Sequence, residues 1–108
     1  VETGLPYGCA VEGIRLDAMR QAHHSTSDAY DREHVTPWVT ARSEAFRIVT
    51  PPAPAAVARP DLRFTVDTAD DYTYMQDLLT AVGAGQRLVP LQEIIAMADH
   101  LTATGSAQ

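Results

Sequence analysis

Three observations in the 108-residue sequence predict an α/β fold. Residues 62–67 (L-R-F-T-V-D) alternate strictly between apolar and polar side chains, the period of a strand with one buried face. Tyr72, Met75, Leu78, Leu79 and Val82, and later Leu91, Ile94, Ile95, Ala98 and Leu101, recur every three or four residues, the period of a helix. Short apolar stretches at 9–14 and 46–50 fall between helical patterns, and strands alternating with helices define the α/β class.

Taken in order, Gly4-Leu5-Pro6-Tyr7-Gly8 reads as a loop. Residues 9–14 (C-A-V-E-G-I) are apolar apart from Glu12 and predict a buried strand. Leu16, Met19, Ala22 and His23 predict a short amphipathic helix ending near His24. Ser25-Thr26-Ser27-Asp28 breaks it, because these side chains compete for backbone hydrogen bonds. Tyr30 to Val39 is the densest polar cluster. Within it Thr36 reads as an N-cap with Pro37 at the first helical position, predicting a helix over 37–45 that buries Trp38 and Val39. Residues 46–50 predict a strand, and 51–61, holding four of the seven prolines, a stiff extended connection. Thr68 and Asp71 stand three apart as a capping-box pair ahead of the helix that Gly83 and Gly85 stop. Pro90 opens the last helix, Gly105 ends it, and 105–108 form a frayed tail. There are no internal repeats.

Composition narrows the function. Eight cationic residues, all arginine, face 14 carboxylates, a net charge of −6. That balance argues against a nucleic-acid partner, which needs a basic face. No apolar run is long enough to cross a membrane. The N-terminus has no signal-peptide pattern, and it lacks an initiating Met, as a processed chain or a piece of a longer one would. Cys9 is the single cysteine, so an internal disulfide and a Cys-rich zinc site are both excluded. A cytoplasmic location is the expectation.

Several residues are candidates for chemistry. Asp67 closes a strand just before a helix N-terminus, where open α/β sheets bind ligands. A carboxylate there suits a hard cation such as Mg2+, which takes one or two protein carboxylates and completes its shell with water and phosphate. Read from the residues alone, Asp67, Asp70 and Asp71 are instead expected to interact with the helix dipole and cap its free N–H groups, and Asp70 and Asp71 keep that reading. Arg32, Glu33 and His34 form a polar turn. Arginine there can clamp a carboxylate or phosphate and the other two can bind sugar hydroxyls, or all three can make an ion-paired surface turn or a subunit contact. Glu12, in an apolar strand, must be paired or face a ligand. His23 and His24 point about 100° apart on a helix and make a poor metal pair. There is no G-x-S-x-G elbow, P-loop or dinucleotide fingerprint. Trp38, Tyr72 and Tyr74 read as core or interface residues.

Tyr30-Asp31-Arg32-Glu33-His34-Val35-Thr36-Pro37-Trp38 resembles the Y-D-R-E-H-V-T-P-Y segment of spore-coat-polysaccharide cytidylyltransferases. Leu62-Arg63-Phe64-Thr65-Val66-Asp67-Thr68-Ala69-Asp70-Asp71-Tyr72 is similar to their L-R-W-T-V-D-T-P-E-D-L segment. Leu5 to Glu12 looks like their L-P-x-G-x-x-V-E stretch. The motifs keep the family's order and spacing. That family is related to the acylneuraminate and deoxyoctulosonate cytidylyltransferases.

The resemblance implies a Rossmann-like nucleotide-diphospho-sugar transferase fold. It also implies transfer of a nucleotide from CTP to a sugar or sugar acid with release of pyrophosphate, for surface polysaccharide or glycan assembly. It places Mg2+ on Asp67, and Glu12, Arg32, Glu33 and His34 on the sugar side or at the contact of a homodimer. The family's A-R-x-x-S-x-R-L-P-x-K nucleotide loop is absent, as is its second metal-binding aspartate. Ala69 stands where proline is usual, and Gly13 where a bulky apolar residue is. Residues 1–104 therefore look like the C-terminal half of a cytidylyltransferase, inactive by itself. The alternative is a non-catalytic assembly or dimerisation module derived from it.

Overall fold

The computed structural model describes residues 3–105 and is helical. Its helices are α1 (Leu16–Ser25), α2 (Ala29–His34), α3 (Pro37–Thr40), α4 (Ala69–Ala81) and α5 (Leu91–Ala103), with a 3-10 turn at Ala55–Val57. The chain divides into two compact units, Val1–Ala10 with Pro52–Gln108, and Val11–Pro51.

The expected α/β sheet is not there. Among the described residues no strand forms, and the one ladder contact outside helices is an isolated parallel bridge between Tyr7 and Arg63. Tyr7 N donates to Leu62 O at 2.8 Å and Phe64 N to Tyr7 O at 2.7 Å. The alternation of 62–67 is half realised, since Leu62 and Phe64 are half-buried while Val66 is exposed. Alternation specifies an extended backbone with two faces, but a strand also needs neighbours to fill its ladder. Residues 9–14 have none, and Val11 is 91% exposed. Residues 46–50 likewise stay irregular, with Ile48 and Val49 exposed.

In the first unit α4 packs on α5, and α5 on the 3-10 turn. Leu78 and Ala98 are fully buried, with Val82 and Ile95 beside them in the core. Thr68 and Asp71 form the complete capping box expected from their spacing. The other end of α4 closes by a Schellman motif: Ala84 N reaches Leu79 O and Gly83 N reaches Thr80 O. Gly83 is at φ +74°, a conformation glycine adopts without strain. Arg59 forks onto Asp61 and Asp99, at 2.7 to 3.0 Å, and so ties the proline-rich connection to α5. Gly8, at φ +100°, lies where a Cβ would stand 3.0 Å from Phe64 O, so only glycine lets the bridge close. The frayed-tail expectation falls largely on 106–108, outside the described residues.

In the second unit α3 packs on α1 and α2 and buries Val39, with Ala22 of α1 also buried. The helix expected over 37–45 stops at Thr40. Arg42 explains the stop. Its Nη1 donates to Trp38 O at 2.8 Å, the acceptor its own backbone N–H would use in a continuing helix, and that N–H turns to Val39 O. The guanidinium lies 4.1 Å from the centre of the Trp38 ring, which also meets Phe46 edge-on. Thr36 does not cap α3 through its side chain. The preceding Val35 sits at φ 73°, ψ −53°, and Thr36 N donates to His34 O at 2.9 Å. This is a γ-turn of the rare, strained hand, and it sets Thr36 in helical backbone geometry instead of the extended form of a cap.

Candidate functional site

The sequence-derived site residues fall on both units. Asp67 ends the extended segment before α4. Glu12, Arg32, Glu33 and His34 belong to the unit formed by Val11–Pro51.

The turn at Asp67 is built around Asp71. This residue is 6% exposed, and its carboxylate is fully engaged. Oδ2 accepts the backbone N–H groups of Asp67 (2.9 Å) and Thr68 (3.1 Å), while Arg63 grips both oxygens at 2.9 Å. Thr68 Oγ1 in turn accepts the Asp71 N–H. The Arg63 guanidinium and these backbone donors hold the Asp71 carboxyl well below the usual carboxylate range, and the same pairing raises Arg63. Arg63 Nη2 also reaches Asp67 Oδ2 at 2.9 Å. The Asp67 side chain is 70% exposed.

This arrangement fits one carboxylate ligand of a hard cation whose other positions are filled by water or substrate oxygens. Among the described residues no group of three or more His, Cys, Asp and Glu side chains converges as a metal site. Beside Asp67, a mostly apolar groove of about 360 Å³ is lined by Val66, Tyr72, Met75 and Leu79, with Gln76 and Thr80 also in its wall. Val66 and Tyr72 are 54% and 60% exposed.

Arg32, Glu33 and His34 do not form a turn; they are the last three residues of α2. Asp28 caps that helix, accepting from the backbone N–H groups of Tyr30 and Asp31. Arg32 points its fork at the end of α1. Nη2 donates to the carbonyls of His23 (3.0 Å) and Thr26 (2.9 Å), and Nη1 meets His23 Nδ1 at 3.0 Å. Its nitrogens thus satisfy helix-end acceptors. Glu33 and His34 are exposed, 4.0 Å apart, with the His34 ring against Tyr30. Glu12 is exposed on irregular backbone, so the expected cost of a buried carboxylate does not arise.

Sequence reasoning overlooked α2 and Arg63. The signal for α2 was Asp28 and Asp31, three apart like Thr68 and Asp71. The signal for Arg63 was its position eight residues before Asp71 on a polar face of the alternating segment.

No protein-family model matches the chain, and no solved structure matches it. Over 71 residues, 66% of the chain, it is 30% identical to "Uncharacterized protein MJ1063" of Methanocaldococcus jannaschii. The chain spans only 29% of that relative's length. No described helix is long and apolar enough to cross a membrane.

Proposed function

We propose that the chain carries the cation-ligand and sugar-binding portion of a nucleotidyltransferase that joins CTP to a sugar or sugar acid and releases pyrophosphate. One observation carries the reading: Asp67, to which the motif resemblance assigns the cation, stands 70% exposed on a turn fixed by Asp71. Bound there, Mg2+ would supply neutralising charge to the phosphates. Asp67 anchors that charge, and the capped turn holds Asp67 without reorganisation. Exposed Glu33, His34 and Glu12 offer hydrogen bonds to sugar hydroxyls. Arg32 stabilises the α1–α2 corner that presents two of them. A homodimer and a role in surface polysaccharide assembly belong to the same proposal.

The test is pyrophosphate release from CTP by the protein at its full natural length, over a panel of sugar acids. Asp67→Ala is expected to lower the rate about a hundredfold, the scale of losing a transition-state charge stabiliser. Undiminished release removes Asp67 from the reaction.

The apolar groove favours a second reading, a non-catalytic assembly module, because exposed contiguous apolar surface marks interaction sites. Under that reading Tyr72→Ser dissociates a complex in sedimentation, while CTP and Mg2+ leave the melting temperature unmoved.

A further inference from the structure

We infer that residues 62–66 take up an extended segment of a partner protein as an added strand, whose apolar side chains cover the groove beside Val66. The inference rests on the assembly reading of that groove and names what fills it. Tyr7 pairs with Leu62 O and Phe64 N. Successive residues of extended backbone turn their polar groups to opposite edges, so the N–H and C=O of Arg63 and Thr65 face away from Tyr7. Among the described residues none of these four groups has a hydrogen-bond partner. Donors and acceptors at a two-residue repeat match a second extended backbone, whereas a helix spends its polar groups on itself.

Side chains select the same partner. Leu62 and Phe64 are half-buried, but Val66, on the same face, is 54% exposed and shares the groove with Tyr72, Met75 and Leu79. A strand lying along 62–66 sets every second side chain on that face, and apolar ones there cover the groove. Charge favours a different protein over a second copy. All three arginines of residues 52–108 are held by carboxylates, while Asp70 and Asp77 on α4 are exposed with no ion pair. A second copy would bring a further net charge of −6, and like charges suppress a partner. The occupant is therefore a segment that alternates apolar residues with arginine or lysine and joins by strand addition.

The experiment adds a short synthetic peptide, valine alternating with arginine and threonine, to the 108-residue chain and follows amide exchange by NMR. Exchange at Arg63 and Thr65 is expected to slow about tenfold at saturation, the scale of one new hydrogen bond each. Phe64, already bonded to Tyr7, stays unchanged. Val66→Ser weakens binding about fivefold through lost apolar contact. Thr65→Pro removes one edge donor and weakens binding about tenfold. A fully N-methylated peptide keeps the side chains, donates no N–H and gives no protection, which keeps the inference testable if Thr65→Pro fails to fold. Shifts at the groove without slowing at Arg63 and Thr65, or equal binding of the N-methylated peptide, overturn strand addition and leave the assembly reading standing. Equal binding of a peptide with glutamate in place of arginine overturns the cationic partner. Slow exchange at Arg63 and Thr65 in the peptide-free chain that is lost on dilution makes a second copy the occupant and overturns the partner segment. No response at groove or edge also overturns strand addition, and the assembly reading is then judged separately by the sedimentation of Tyr72→Ser.

Discussion

Val35 carries the clearest local strain among the described residues, a β-branched side chain held at φ 73°. Such a conformation costs on the order of 1–3 kcal/mol, and glycine adopts it freely. Val35 is 48% exposed, so little packing is lost on its removal. Val35→Gly is therefore expected to stabilise the protein by about 1 kcal/mol, read as a rise in the urea midpoint; a fall would show that the turn is not strained. Thr65 offers a second case. Its hydroxyl is buried and has no hydrogen-bond partner, and an unmade buried hydrogen bond is costly. Thr65→Val keeps the shape and should leave the midpoint unchanged or raise it. Neither feature is legible in a sequence, because φ at Val35 and the orphan hydroxyl follow from how neighbours close around them. The capping role of Asp71 was legible in its three-residue spacing from Thr68. Glu12 was misread for a physical reason: burial was inferred from apolar neighbours that are themselves exposed.

At the scale of elements, helices α4 and α5 were readable because each carries its own boundaries. Thr68 and Asp71 start α4, Gly83 ends it, and Leu78 supplies a buried anchor, all within one short window. Loss of the Thr68 hydroxyl removes one arm of the box, so Thr68→Ala should cost about 1 kcal/mol. The loss should appear as faster amide exchange confined to the first turn of α4. A uniform change along the helix would mean that the cap does not act locally. The predicted strands failed because a strand's stability lies outside its own sequence. Residues 62–67 have the right alternation but only Tyr7 to pair with. The short α3 shows the same limit: its stop is made by the Arg42 side chain taking the Trp38 carbonyl, a choice that no periodicity records.

For the whole molecule, the excess of carboxylates is managed by arginine forks, and that makes stability acid-sensitive. Asp71, Asp61, Asp99 and Asp17 are all held below the ordinary aspartate range, each chiefly by hydrogen bonds from an arginine, namely Arg63, Arg59, Arg59 and Arg15. A carboxyl depressed in the folded state binds fewer protons than in the unfolded chain, so its contribution is complete above the unfolded value of about 3.9. That contribution fades as pH falls toward the folded value. Asp17 and Asp61 are well exposed and screened by solvent, so their share is small. Asp71, buried under Arg63, carries most of the effect, and Asp99 follows because it anchors the proline-rich connection to α5. The melting temperature is thus expected to hold steady from pH 7 to about 5 with respect to these groups, then fall continuously below about pH 4. In Asp71→Asn the melting temperature is lower at pH 7, since the ion pair with Arg63 is gone, and its fall below pH 4 is shallower than the parent's. Parallel curves for parent and variant would show that the Arg63–Asp71 lock does not govern acid unfolding.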